Sequence, residues 1–134
     1  MLTSATVSSA SMIQIAAVSY VIVVAGVIVF QFCLIFGAPW GRLTQGGRHE
    51  GALPVAGRVA AAFSVLLLIC MAAGIASAAG MTPNWPMGTA YAAIAVQALS
   101  TILNWITPSP PERLLWGPIT AVLLALALYV VIAG

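Results

Sequence analysis

The residues that could do chemistry in this chain are concentrated in one stretch. Residues 37–58 (GAPWGRLTQGGRHEGALPVAGR) hold five of the chain's seven Arg, His and Glu side chains: Arg42, Arg48, His49, Glu50 and Arg58. The other two, Glu112 and Arg113, are adjacent and lie much later. Arginine forms charge-assisted hydrogen bonds with carboxylates and also binds phosphate. The sequence therefore predicts either Arg–Glu pairs that join two loops or a site for an anionic group such as a lipid phosphate.

Glycines support the anion hypothesis, because Gly46, Gly47 and Gly51 would let backbone N–H groups come close to a bound anion. His49 beside Glu50 could act as an acid–base pair, since imidazole titrates near neutrality. A lone histidine in a glycine-rich loop is more often an ordinary polar loop residue. We therefore assign no catalytic residue from the sequence.

Metal and cofactor chemistry has no support in the residue pattern. The chain has one His, no Asp and two cysteines, Cys33 and Cys70, whose depths in their helices differ by roughly 15 Å at 1.5 Å per residue. That separation predicts free, buried thiols instead of a disulfide. No metal set, phosphate loop or dinucleotide fingerprint occurs at a recognised spacing, so neither a metal nor a cofactor is predicted.

The elements that position these residues are hydrophobic helices. Of 134 residues, 63% are hydrophobic and 4% are charged, against about 25% charged residues in an ordinary soluble domain. Four uncharged apolar windows are each long enough to cross a bilayer. We expect an all-α integral membrane protein, a single membrane domain (1–134) folded as an antiparallel four-helix transmembrane bundle. The predicted spans are residues 12–36, 56–79, 88–106 and 118–133.

The start of the last span carries specific local signals. Ser109 and Glu112 have the spacing of a capping box, and the prolines at 110 and 111 suit the first turn of a helix. We expect a short interfacial turn over residues 114–116, broken or kinked at 117–118 before the last span. At the other end of the chain, residues 1–11 are predicted to form an uncharged tail.

Charge distribution predicts the orientation. The polar loops 37–55 and 107–117 fall on the same side of an up-down bundle, and an excess of Arg in short loops marks the cytoplasmic side. The sequence therefore predicts a plasma-membrane protein with both loops inside and both termini outside. The absence of lysine argues against a nucleic-acid partner.

Polar and small side chains within the spans indicate how the helices meet. Gln31, Gln97 and Asn104 could form hydrogen bonds between helices or line a path for a solute. Gly74 and Ala78 form a small-xxx-small pair that allows close helix packing, either within the chain or in a dimer. The spans contain no Asp, Glu, Lys, Arg or His, which argues against ion-coupled transport.

Short motifs occur in and around the two polar loops. They are PWG (39–41), GG (46–47), His49, LP (53–54) and Arg58 in the first loop, and Asn104, Ser109, Glu112 and Arg113 around the second. With these motifs the chain resembles a group of small four-span bacterial membrane proteins, which implies the bundle fold and its orientation but no activity or catalytic residue. Residues 106–108 depart from the polar run of that group.

These observations favour a non-enzymatic polytopic membrane protein that acts through self-assembly or as an accessory subunit of a membrane complex, surrounded by membrane lipids. One alternative is a channel or facilitator for a small neutral or lipidic molecule, which requires the three amides to face a continuous cavity. A second is an enzyme or binder that acts on an anionic lipid at the cytoplasmic interface through His49, Glu50 and Glu112.

Overall fold

The structure, a computed structural model, describes residues 4–134 and the side chains from residue 10 onward. Its regular elements are four long α-helices and two short 3₁₀ turns, Gly41–Leu43 and Gln45–Gly47, and no strand occurs in the described part. The predicted all-α fold is confirmed. The helices are α1 (Ser4–Ile35), α2 (Val55–Ala78), α3 (Met87–Ile106) and α4 (Pro110–Ala133).

All four helices are long and apolar enough to cross a membrane, with the candidate span of α1 beginning at Ala10. Each helix packs against the two that adjoin it around a ring, so α1 and α3 both contact α2 and α4. The chain is thus a multi-pass membrane protein built as a four-helix bundle. We call the end with residues 36–54 and 107–109 the loop face, and the end with residues 79–86 the hairpin face.

Two predicted boundaries were wrong. Helix α1 begins at Ser4, within the predicted tail, while residues 1–3 lie outside the described residues. Helix α4 is continuous from Pro110 to Ala133 with Pro118 inside it, so the predicted break at 117–118 does not occur.

The continuity of α4 has a local physical reason. Pro118 removes only one backbone donor from the helix. In the same turn the Thr120 hydroxyl donates to the carbonyl oxygens of Trp116 (2.6 Å) and Gly117 (3.1 Å). Gly117 and Thr120 are also buried against the rest of the bundle. Tertiary packing therefore keeps the helix continuous through a residue that would end an isolated one.

The hairpin half of the bundle contains most of the larger of the two buried core clusters. Tyr20, Ile75 and Val130 are completely buried there among small residues such as Ala90 and Ala127. At Gly74 an added Cβ would lie 3.0 Å from the backbone of Thr89. Helices α2 and α3 thus approach closely at this end because Gly74 has no side chain.

The cysteines are both free thiols, as predicted. Cys33 is half-buried, but Cys70 is exposed on the outer surface of α2, so the expectation that it would be buried is wrong. On a membrane-spanning helix that surface faces hydrocarbon, which suits a weakly polar thiol as well as a protein core does.

Candidate functional site

The first polar loop folds back on itself directly after α1. Gly37 ends the helix with a positive φ of 99°, and the Trp40 ring then stacks on Phe30 at 5.5 Å between centroids. The Gly41 N–H donates to the Gly51 carbonyl at 2.9 Å and closes the loop. Its Cβ position is filled by the backbone of residues 49 and 51, so only glycine fits there.

The loop is fastened to the start of α4 by three hydrogen bonds that use its backbone. The Ser109 hydroxyl donates to the Arg42 carbonyl (2.7 Å), and the Trp116 indole N–H donates to the Leu43 carbonyl (2.7 Å). The Gly46 N–H donates to Glu112 Oε2 (2.9 Å). These bonds make residues 41–47 a lid attached to the first two turns of α4.

A left-handed turn at the end of the lid, residues 45–47, brings its backbone close to α4. Gln45, Gly46 and Gly47 all have positive φ (51°, 81° and 70°), and the Gln45 amide is held by donating to the Gly57 carbonyl (2.9 Å). A Cβ on Gly47 would lie 2.5 Å from the Ser109 Cβ. Consecutive backbone N–H groups in such turns attract anions. Here the carboxylate at this turn is that of Glu112, from the same chain.

The remaining charged candidates do not form Arg–Glu pairs within residues 4–134. Arg58 donates from Nε to the Leu53 carbonyl (2.9 Å), and Arg113 donates from Nη1 to the Thr107 carbonyl (3.0 Å). The two polar loops do meet, but through the bonds to the lid backbone described above. Among the candidate residues on the loop, the side chains of Arg42, Arg48, His49 and Glu50 are exposed.

Beneath the lid lies a cavity of about 690 Å³ lined by all four helices and both loops. The three amides singled out in the sequence, Gln31, Gln97 and Asn104, all line it. So do two charged candidates, Arg48 and Glu112. The structure therefore brings together polar residues from α1, α3, α4 and the first loop around a common space.

The cavity has a polar end and an apolar wall. Asn104 donates to the Ser100 carbonyl (2.7 Å), which leaves its own carbonyl oxygen to accept from a ligand, and Gln31 is half-buried on the facing helix. Apolar side chains from α2, α3 and α4, including Leu68 and Leu123, form the wall. An amphiphilic molecule would find both kinds of surface.

The cavity ends at Gln97 in the direction of the hairpin face. Gln97 is only 2% exposed, and its carbonyl oxygen accepts a hydrogen bond from the Tyr20 hydroxyl (3.0 Å). Beyond this pair the interior is filled by Ile75 and Ala93, with exposures of 0% and 2%. In this conformation the cavity is closed toward the hairpin face.

Three leucines in the loop-face halves of α2 and α3 border the cavity and are only partly covered. Leu67 on α2 and Leu99 and Leu103 on α3 line the cavity and are about half exposed (46%, 57% and 53%). We call these three side chains the rim.

Two other predicted sites lie apart from this cavity. His49 and Glu50 are exposed on the loop and do not line it, so the structure does not place them with Glu112. Gly74 packs on Thr89, and Ala78 lies beside Gly134, both near the hairpin face. No group of His, Cys, Asp or Glu that could hold a metal ion is found among the described residues.

Sequence reasoning missed the roles of Ser109 and Trp116 in holding the lid, and it missed Ser64 and Ser100 as lining residues. The capping-box spacing did identify Ser109 as a helix cap, and its Oγ accepts from the Glu112 N–H (3.4 Å). That the same hydroxyl also donates to the first loop could not be read from local spacing.

Comparisons of the chain with models of known protein families, with curated proteins and with solved structures give no match, and the resemblance to small four-span bacterial membrane proteins stays a prediction.

Proposed function

We propose that this small polytopic membrane protein binds a lipid-like amphiphile taken from the bilayer. The single observation that carries the proposal is that Gln31, Asn104 and Arg48 line the same cavity as the rim leucines between α2 and α3. The polar part of the ligand would lie under the lid, and its apolar part would lie along the wall and leave through the rim.

The size of the cavity supports this function. About 690 Å³ lies within the range of roughly 300–1,000 Å³ in which proteins enclose small molecules. Such sites are mostly apolar, with a few polar groups that fix orientation. A single-chain amphiphile would be largely enclosed, whereas a lipid with two long chains would leave its tails in the bilayer.

A channel or facilitator is the weaker interpretation. The amides face a cavity, as that function requires, but the Tyr20–Gln97 hydrogen bond and the buried residues beyond it close the way to the hairpin face. Passage of a solute would require the densely packed half of the bundle to separate. Binding requires no such change.

Self-assembly, or membership of a larger membrane complex, stays a prediction. The small-residue pair that suggested it is engaged within the chain, since Gly74 contacts Thr89 and Ala78 lies beside Gly134. Cross-linking in native membranes would test it. The expected products are dimers and higher multiples of the chain, or an adduct with another protein. Recovery of the monomer alone would count against it.

The loop face is proposed to be cytoplasmic, because all four Arg residues lie there, two in the first connection and one in the first turn of each of α2 and α4. A reporter that is active only in the cytoplasm, fused after Gly134, should then be inactive. Activity of that fusion would reverse the orientation without affecting the binding proposal.

Ligand binding can be tested by mass spectrometry of the purified full chain and of organic extracts from it. A bound amphiphile should copurify with the wild type and be lost from Ser100→Phe, which fills the cavity from α3. Ala95→Phe is the matched control, because Ala95 lies on the outer surface of the same helix and does not line the cavity.

A second filling variant on the neighbouring helix α2, Ser64→Phe, guards against a local folding defect. Circular dichroism should show that each variant remains helical. If no stoichiometric amphiphile is found in the wild type, or if both filling variants retain it, the proposed function is wrong.

A further inference from the structure

We infer that the ligand carries an anionic head group, a phosphate monoester or a carboxylate on a long alkyl chain, and that Arg48, in the cavity lining, binds it. This inference rests on the proposed function and goes further by naming the class of ligand and the residue that recognises its charge.

The four arginines differ in what their side chains do. Arg58 and Arg113 are engaged with backbone carbonyls, and Arg42 is exposed on the loop without lining the cavity. Arg48 lines the cavity, and within residues 4–134 its guanidinium forms no hydrogen bond. Among the four arginines, Arg48 is therefore the one that borders the cavity with N–H donors available to a ligand.

The lid turn directs Arg48 toward the cavity. Arg48 directly follows the left-handed residues 45–47, and its Nε lies 3.9 Å from the Cβ position of Gly46, so its side chain folds back over the turn. The turn itself is fixed by the bond from Gly46 to Glu112. A planar guanidinium can bind two anionic oxygens at once.

Glu112 is the other charged group in the lining, and it is less accessible to a ligand than Arg48. It is only 7% exposed, and one of its oxygens already accepts from the Gly46 N–H. The Arg48 side chain is exposed. The more accessible charge in the lining is therefore positive.

The remaining polar groups suit the atoms next to such a head group. Gln31 can donate or accept, and the Asn104 carbonyl oxygen can accept, at the depth where an ester oxygen or hydroxyl would lie. Below them the wall is apolar and continues to the rim. Basic pockets between transmembrane helices at a membrane face are suited to anionic lipid head groups.

The test uses the full-length protein in nanodiscs of phosphatidylcholine, with empty nanodiscs as the partition control. The probes share one chain: tetradecyl phosphate, tetradecanoate, tetradecanol and tetradecyltrimethylammonium. Binding is followed by tryptophan fluorescence, since Trp116 lines the cavity. We expect at least one of the two anions to bind about tenfold or more tightly than tetradecanol, as a charge-assisted contact requires.

Arg48→Gln should abolish that preference and leave the affinity for tetradecanol unchanged, and Arg48→Lys should restore part of it. Arg42→Gln is the matched control, because it removes the same charge from the same loop at a side chain that does not line the cavity. The relative affinities of the phosphate and the carboxylate then identify which anion the site takes.

The inference is overturned if Arg48→Gln keeps the preference, if Arg42→Gln loses it equally, or if the alcohol or the ammonium probe binds best. In those cases the proposed binding function stands with another ligand. If no probe binds the wild type above empty nanodiscs, the anion inference is also overturned, and the copurification experiment decides separately whether the binding function survives.

Discussion

The two halves of this bundle are built from the same four helices but differ in how they are filled. Near the hairpin face, alanines and Gly74 let the helices touch, and the interior is closed around Tyr20 and Ile75. Near the loop face the same helices enclose a cavity of about 690 Å³ covered by a hydrogen-bonded lid. Small side chains let helix backbones approach closely in a membrane. The half that could serve a ligand is therefore the one with the looser packing.

The difference predicts that added volume is costly in one half and tolerated in the other. The largest effect should come from Gly74→Leu, because even its Cβ would lie 3.0 Å from the backbone of Thr89, which cannot move aside alone. We expect a loss of about 3 kcal/mol or more in the free energy of unfolding, at the upper end of overpacking costs. Thermal or denaturant unfolding in detergent measures it.

Gly88→Leu is the control for Gly74→Leu. Gly88 lies on the neighbouring helix α3, and no atom of any other helix lies within 4 Å of its Cβ position. It should cost little, because leucine also has the higher helix propensity. Equal destabilisation by both substitutions would mean that the close contact of α2 and α3 is not what organises the hairpin half.

The boundary between the halves depends on one buried hydrogen bond. Tyr20→Phe removes the donor and leaves the Gln97 carbonyl oxygen buried without it. Loss of a partner for a buried polar group costs about 1–3 kcal/mol. Tyr91→Phe should be nearly neutral, because Tyr91 is 60% exposed. If the two variants unfold alike, Gln97 has another partner and the cavity floor is less firmly closed.

The lid should loosen when Ser109 is changed. Its hydroxyl both accepts from the Glu112 N–H and donates to the Arg42 carbonyl, so Ser109→Ala removes a helix cap and one loop bond together. We expect about 1–2 kcal/mol from the cap, and faster tryptic cleavage after Arg42 and Arg48. Ser19→Ala is the control, since that hydroxyl bonds only within its own helix. Unchanged cleavage rates would show that the other two bonds suffice to hold the lid.

The sequence predicted the membrane spans of this protein but not the structure of its lid. The spans were predictable because hydropathy and helix length are local properties, and the capping box correctly marked the start of α4. The lid was not, because its bonds join residues such as Leu43 and Trp116, which are 73 positions apart. Arg–Glu attraction was the reasonable expectation for the charged loops. Glu112, Arg58 and Arg113 instead form hydrogen bonds with backbone groups of the folded chain. The positions of those backbone groups cannot be predicted from the number of charged residues.

The sequence indicated some of the polar residues that line the cavity, but it did not predict the cavity itself. The amides Gln31, Gln97 and Asn104 could be recognised as unusual, but amides that bond across helices and amides that line a space look alike in one dimension. Which outcome occurs depends on the side-chain volumes at the same depth on all four helices. The continuity of α4 through Pro118 is a similar case, since burial of Gly117 and Thr120 overrides the local tendency to break.

The smallest effect on stability, and the most direct comparison with Gly74→Leu, should come from Ser100→Phe. It adds a larger side chain than Gly74→Leu does, but its position borders the cavity, where there is space for a ring. Its hydroxyl accepts only a long bond of 3.3 Å from Asn104, so little is lost by removing it. Burial of the new ring against Leu68 and Leu123 offsets the remaining cost, and we expect a change within about 1 kcal/mol of the wild type. Unfolding by the same method as for Gly74→Leu checks this. If Ser100→Phe unfolds as readily as Gly74→Leu, the loop half is as closely packed as the hairpin half, and there is no room in it for a ligand.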